Sequence, residues 1–276
     1  MPVMGHGEAG GERQGGTLPR AEPPSLFDNW VEALFERHLA ELTWSEIARA
    51  LGALTQDYVQ RRHRLQSRRA LAGRGKRAAF VLYYAPRHYL LVREALLGLG
   101  ALAQRPDRIL DLGCGIAVAG AAWSGLYTDR PPVLGVDMSE WLLAEARRTY
   151  RALGVPGRTL CARIERLPWP RTRVALVAAF ALNELHEAAR AQLFAKVLQY
   201  ARAGRGTLVL EPLAKRTTPW WSDWARSVTE WGGRADEWHF DGALPEPVAR
   251  LGRSAGLDPG KLGARTLWLP PAEERV

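Results

Sequence analysis

The sequence predicts an α/β protein: a mostly parallel sheet with helices on both faces over residues 106–276, preceded by an all-helical region over residues 25–105. Two observations carry that prediction. Up to about Ala103, apolar residues recur at three- and four-residue steps, the period of a helix with one buried face. Beyond Pro106 the period changes, and short strand-like runs alternate with helical stretches, as parallel strands joined by crossover helices require.

Residues 1–24 are rich in Gly and Pro and lack the basic-then-apolar order of a secretory signal, so a disordered tail is expected there. Ser25 then caps a helix whose buried stripe is Leu26, Phe27, Trp30, Val31, Leu34 and Phe35. Thr43 followed by Glu46 makes a capping-box signature, Ile47 and Leu51 continue the stripe, Gly52 is expected to stop that helix, and another is expected to start near Thr55. Gly73 and Gly75 break the pattern before a long helix from about Pro86 to Ala103.

In the second region, the runs Arg108–Leu112, Val133–Asp137, Arg173–Leu182 and Thr207–Glu211 read as strands. Between them Ser139 caps a helix over 140–153 that Gly154 closes, and a second helix over about 187–203 is closed by Gly204. Thr218 and Pro219 start a further helix with Trp221, Trp224, Val228 and Trp231 on one face, to which Trp220 and Trp238 add. That stripe reads as packing, with a lid that stacks on a flat substrate as the alternative.

With 276 residues and 47% apolar content the chain can bury a substantial core. The longest apolar helical stretch, Tyr89–Ala103, is interrupted by Arg93 and Glu94 and falls short of the ~20 residues of a membrane span, so a soluble protein is expected. Two cysteines, Cys114 and Cys161, suggest neither a disulfide framework nor a four-cysteine metal site, and a reducing cytoplasm fits. His186 and His239 have no second ligand at metal spacing, so no metal is implied. The net charge of +9 is localised: ten Lys or Arg and no acid lie between Tyr58 and Arg93. A basic field of this kind favours an anionic partner such as RNA, contacted through Arg61, Arg62, Arg64, Arg68 and Arg69 with nearby tyrosines to stack on, against the alternative of a merely solvated basic helix.

The first strand of the second region ends in Asp111, Leu112, Gly113, Cys114, Gly115, Ile116, Ala117, and an Ala-rich helix follows. Such glycines let the backbone turn tightly and approach a ligand, and the N–H groups opening the helix receive an anionic group. Asp137 ends the second strand, where a carboxylate can accept hydrogen bonds from both hydroxyls of a ribose. With a third strand that ends near Cys161, the run Arg173–Leu182 is the fourth strand and leads into Asn183, Glu184 and Leu185, which topology places over the crevice at the strand ends. Asn183 and Glu184 are the catalytic candidates, the plainer alternative being that they cap the next helix. Glu211 closes the fifth strand and is expected to face the same crevice.

On these residues the chain resembles the class I S-adenosylmethionine-dependent methyltransferases. The resemblance implies a Rossmann-like sheet, methyl transfer, and S-adenosyl-L-methionine as cofactor. It also implies that Gly113 and Gly115, with Cys114 between them, border the methionine portion, that Asp111 orients the loop and contacts the amino group, that Asp137 binds the ribose and that Met138 lies against adenine. Two positions depart from the family pattern: Ala117 replaces a third glycine, and no acid directly follows the third strand, where Glu165 is the nearest substitute. More loosely, Tyr83–Tyr89 together with Asn183, Glu184, Leu185, Glu211 and Pro212 looks like the ribosomal small-subunit methyltransferase-like proteins, which implies a ribosomal RNA partner, although the cysteines that often hold a metal cluster there are missing.

The methyl acceptor stays open at this point, with RNA and a small aromatic molecule as the two classes. Rival readings are a degenerate methyltransferase fold serving as a ribosome or RNA-binding assembly factor, and a helix-turn-helix regulator over Trp44–Arg64 with its turn at Gly52. A nicotinamide dehydrogenase fits less well, because its fingerprint needs glycine where Val118 stands.

Overall fold

Strand side chains alternate between two faces, and here both faces are apolar, so the sheet must be covered on each side. The computed structural model, which describes residues 25–60, 71–168, 174–214, 218–242 and 244–272, shows that arrangement. The strands are β1 (Arg108–Leu112), β2 (Val133–Asp137), β3 (Gly157–Cys161), β4 (Val174–Ala179), β5 (Thr207–Glu211), β6 (Arg234–Asp241) and β7 (Lys261–Leu269). They lie in the order β3-β2-β1-β4-β5-β7-β6, parallel from β3 to β5, while β7 runs antiparallel to both β5 and β6. The chain winds outward from β1 to β3 and then returns to place β4 on the other flank of β1. The strand order therefore reverses between β1 and β4, where such sheets open a crevice at their carboxyl ends.

The nine α-helices among the described residues are α1 (Leu26–Leu39), α2 (Trp44–Gln60), α3 (Arg74–Ala79), α4 (Ala85–Gly98), α5 (Val118–Gly125), α6 (Glu140–Ala152), α7 (Glu187–Arg202), α8 (Trp221–Glu230) and, closing the set before β7, the short α9 (Glu246–Ser254), with α3 and α4 joined through a π-helical turn, Phe80–Tyr84, into one rod. One face of the sheet, through Ile109, Val133, Val177 and Leu210, shares a single core with Trp30, Leu51, Leu82, Leu96, Trp123 and Leu143 of the helices, so the N-terminal helices belong to the same packing unit as that face. The opposite face, through Leu110, Leu176 and Val209, packs against Leu193 and Val197 of α7 and Trp221, Trp224 and Val228 of α8.

Several sequence expectations change here. Helix α2 runs unbroken through Gly52, so no turn forms there and no separate helix starts at Thr55; the wholly buried Leu51 and Leu54 hold the helix together across the glycine. The two-helix geometry of a DNA-reading motif is thereby lost. The helix expected from Pro86 instead begins at Arg74, with Gly73 at its N-cap (φ +90°), and ends at Gly98. Pro86 sits inside this rod because the π-turn shifts the ladder, with the Ala85 N–H donating to the Phe80 carbonyl five residues back. The fourth strand stops at Ala179, since Phe180 takes a left-handed backbone (φ +57°). Trp220, Trp221 and Trp224 are buried against α7, with Trp224 stacked on Phe194 at 3.9 Å, and they form core rather than a lid; Trp238 lies in the other core. No helix among the described residues is long and apolar enough to cross a membrane.

Candidate functional site

The loop after β1 is built from alternating left-handed residues: Gly113 (φ +66°), Gly115 (φ +53°) and Ala117 (φ +67°). A side chain at Gly113 would lie 2.5 Å from the Ala181 Cβ, whereas a Cβ at Gly115 would meet nothing within 4 Å, so the bend is tight against the segment that follows β4 and open toward a cavity. Asp111, 1% exposed, accepts a hydrogen bond on Oδ2 from the Gly120 N–H at 2.8 Å and so ties the strand to α5; its Oδ1 is buried and has no partner. Burial lifts its pKa to about 7, against the Gly120 hydrogen bond and with help from the charge of Asp137.

Asp137 reaches back across the crevice. Its Oδ2 accepts from the Gly115 N–H at 3.1 Å and its Oδ1 from the Ser139 N–H at 2.9 Å, while the Ser139 hydroxyl caps α6 by accepting from the Leu142 N–H. Glycine bend and carboxylate therefore share one place. Met138, 38% exposed, stands beside them, and Cys114 packs beneath with its thiol pKa pushed well up by burial and by the nearby carboxylates.

Asp111, Gly113, Cys114, Gly115, Asp137, Met138 and Ser139 line a cavity of about 1090 Å³, large enough for a nucleoside-sized ligand and a second molecule. Its walls come from both parts of the chain: the loop after β1, the end of β2, Ile164 and Glu165 after β3, Phe180–Leu185 after β4, and Phe80, Tyr84 and His88 of the N-terminal rod. Of the acids here, Glu165 pairs with Arg163, and this contact together with its own backbone outweighs the burial that would raise its pKa, leaving it below the ordinary range.

The two catalytic candidates sit on a short 3₁₀ turn, Leu182–Glu184. Glu184 is solvent-accessible but lines the concave wall of the cavity, and desolvation by the surrounding walls, with a smaller contribution from the charge of Asp137, lifts its pKa to about 7. Asn183 presents a buried Oδ1 without a hydrogen-bond partner. The turn is held from below by Glu211, whose Oε1 accepts from the N–H groups of Leu182 (2.9 Å) and Asn183 (3.2 Å). This corrects the sequence expectation: Glu211 is fully buried under the turn and does not face the crevice. Burial raises its pKa to about 8 despite those two donors.

Sequence reasoning missed the aromatic wall. His88 stacks on Phe180 at 3.8 Å and 17°, and Tyr84 stands at 5.9 Å from His88. Burial and the Arg87 charge push the His88 pKa down to about 3, so its ring is neutral. The four-residue spacing of Phe80, Tyr84 and His88 was the available signal, hidden because a helical stripe ordinarily means core. The basic residues Arg61, Arg62, Arg64, Arg68 and Arg69 lie outside the described residues.

Residues 109–204 match a family model described as a methyltransferase domain. No curated protein matches this chain. Among solved structures, a putative class I S-adenosylmethionine-dependent methyltransferase from Listeria monocytogenes is similar at 15% identity and a TM-score of 0.49, over 91% of this chain and 89% of its own. The plantazolicin methyltransferase BpumL in complex with SAH is similar at 12% identity and a TM-score of 0.48, over 87% of this chain and 100% of its own. The tRNA (uracil-54, C5)-methyltransferase of Pyrococcus abyssi is similar at 15% identity and a TM-score of 0.41, over 64% of this chain and 38% of its own. Residues 109–204 thus match the methyltransferase-domain family, and the Gly113–Gly115 bend, Asp137 and the Asn183–Glu184 turn all lie within the matched segment.

Proposed function

We propose that the cavity binds S-adenosylmethionine along Asp111, Gly113, Cys114, Gly115, Asp137 and Met138, and that its methyl group passes to an acceptor held between the N-terminal rod and the 3₁₀ turn. The observation that carries this reading is the Gly115–Asp137 contact: an open left-handed bend and a carboxylate at the end of the next strand, in one cavity with Glu184. Ala117 leaves the cavity open at Gly115, which argues for a working site rather than a degenerate one.

The cofactor supplies an electrophilic methyl group on a sulfonium. The residues present fit it. The unpaired Oδ1 of Asp111 on the cavity wall can accept from an ammonium, and Asp137 retains lone pairs for ribose hydroxyls beyond the two it gives to the backbone. Methyl transfer disperses charge, so the chain contributes mainly by aligning the acceptor and excluding water. Glu184 takes the acceptor's proton, and Asn183 orients the group that bears it.

Calorimetric titration with S-adenosylhomocysteine tests the cofactor assignment. Saturable binding is expected, with Asp137→Ala weakening it at least about tenfold, the loss of one or two charge-assisted hydrogen bonds. Absence of binding up to millimolar ligand overturns it.

A further inference from the structure

Resting on that cofactor reading, we propose that the acceptor is an uncharged planar aromatic or heteroaromatic compound bearing an O–H or ring N–H group, received between the Phe80–Tyr84–His88 wall and the Asn183–Glu184 turn. Three features of the cavity select this class.

The first is the wall itself. Phe80, Tyr84 and His88 follow one another at four-residue steps along the rod, with ring centroids 6.3 Å and 5.9 Å apart, and Phe180 extends the row from the end of β4. All four line the cavity. A continuous aromatic surface of this kind favours another π-system over a saturated ring of equal size. The left-handed backbone of Phe180, unusual for a bulky residue, is what turns its ring toward His88 instead of leaving it on the sheet.

The second is hydrogen-bonding demand. The buried Asn183 Oδ1 has no partner, and the neighbouring Glu184, in the ionised form that acts as base, accepts only. Side by side, these two acceptors call for a ligand that donates, and an arene without a polar hydrogen leaves both unmet.

The third is charge. Five carboxyl groups line the cavity (Asp111, Asp137, Glu140, Glu165 and Glu184), Glu165 among them paired with Arg163, against two guanidiniums, among the described residues. Both guanidiniums are committed elsewhere: Arg77 donates to the Leu71 carbonyl and lies over Trp141, and Arg87 donates to the carbonyls of Pro259 and Lys261. A phosphodiester or a carboxylate would be repelled here, and a cationic acceptor would meet the positive charge of the methyl donor. A neutral donor-bearing ring meets neither obstacle.

The step balances. The acceptor's O–H or N–H proton passes to the Glu184 carboxylate, the freed lone pair forms the bond to the methyl carbon, and the methyl–sulfur bond breaks with its electron pair left on sulfur. The products are the methylated ring, a neutral thioether and protonated Glu184, which returns its proton to water.

The test has two stages, so that failure of the cofactor reading shows before the acceptor is examined. The full chain is first saturated with S-adenosylhomocysteine, then titrated with 2-naphthol, decahydro-2-naphthol and 2-naphthyl phosphate. The expected result is that 2-naphthol binds about tenfold tighter than either of the others, and that Phe80→Leu, Tyr84→Leu and His88→Leu, each measured at its own saturating cofactor product, weaken it by about threefold to tenfold. Equal binding of the saturated alcohol, tighter binding of the phosphate (the outcome an RNA acceptor predicts), no binding of 2-naphthol to the saturated protein, or full retention of affinity in all three folded variants would each overturn the proposal.

Discussion

Ala117 carries a methyl group in a backbone conformation that disfavours one, at φ +67° and ψ +27°, and it is fully buried as the N-cap of α5. A left-handed non-glycine residue costs about 1–2 kcal/mol, while glycine adds about 0.4–1 kcal/mol of unfolded-chain entropy. Ala117→Gly is therefore expected to stabilise the fold by roughly 0.5–1 kcal/mol, read as a higher urea midpoint; a lower midpoint would show that the methyl's packing outweighs its strain. At Glu184, the pKa of about 7 places the carboxylate half ionised near neutrality. Single-turnover methylation of a phenolic acceptor should rise with pH through about 7, and Glu184→Gln should remove that dependence and about 10²–10⁴ of the rate. A variant that keeps the wild-type profile would end the role proposed for Glu184. The glycine bend and Asp137 were legible in the sequence because each follows a strand, where topology alone fixes what faces the crevice. Glu211 was not, although it too ends a strand. Its oxygen is claimed by two backbone N–H groups of a 3₁₀ turn that no sequence period announces.

Helix α5 is seated by a missing side chain. A Cβ on Gly120 would come within 2.6 Å of Val133 Cγ1 and 3.0 Å of Asp111 Oδ2, so this glycine lets α5 lie close enough for its N–H to reach the Asp111 carboxylate. Gly120→Ala should overpack that contact and cost about 1–3 kcal/mol in chemical denaturation. Weaker S-adenosylhomocysteine binding should accompany it, because Asp111 and the loop move together. Unchanged stability would mean that α5 can slide without loss. Where a helix starts or stops was less legible than that it exists. Gly52 reads as a stop, yet burial of Leu51 and Leu54 outweighs a glycine's cost of about 1 kcal/mol. Pro86 reads as a helix start, yet the π-turn before it admits proline into a continuing rod, and that same turn belongs to the segment that presents Phe80 and Tyr84 to the cavity. Strands β6 and β7 lie beyond the alternating pattern that announced the parallel sheet, and their antiparallel pairing needed the coordinates.

Across the whole molecule, the carboxylates at the site set a pH dependence of stability. Asp111 is raised to about 7 and Glu211 to about 8, each chiefly by burial, and Glu184, which water reaches through the cavity, is raised to about 7 by desolvation and contributes least to stability. In the unfolded chain all three titrate near 4. Between those values the folded state holds protons that the unfolded state has released, so stability falls as pH rises through that window. His38 and His88 act in the opposite sense, because burial lowers both below the ordinary 6.5 and unfolding then takes up protons, but that effect ends once pH exceeds 6.5. From pH 6.5 to 8.5 the carboxylates dominate, joined toward the upper end and in the same sense by the buried Cys114 thiol, and the urea midpoint of the ligand-free chain is expected to drop. Glu211→Gln should flatten the drop, since Gln keeps an oxygen for the N–H groups of Leu182 and Asn183 and cannot ionise. The cause is desolvation of carboxyls on and beneath one cavity shared by the N-terminal rod and the sheet, with repulsion from neighbouring carboxylates adding less, in a chain whose net charge is nonetheless +9. A midpoint that holds steady or climbs across that interval would show that these carboxyls reach water in the folded protein, and with it that the cavity is too wet to tune Glu184 as a base.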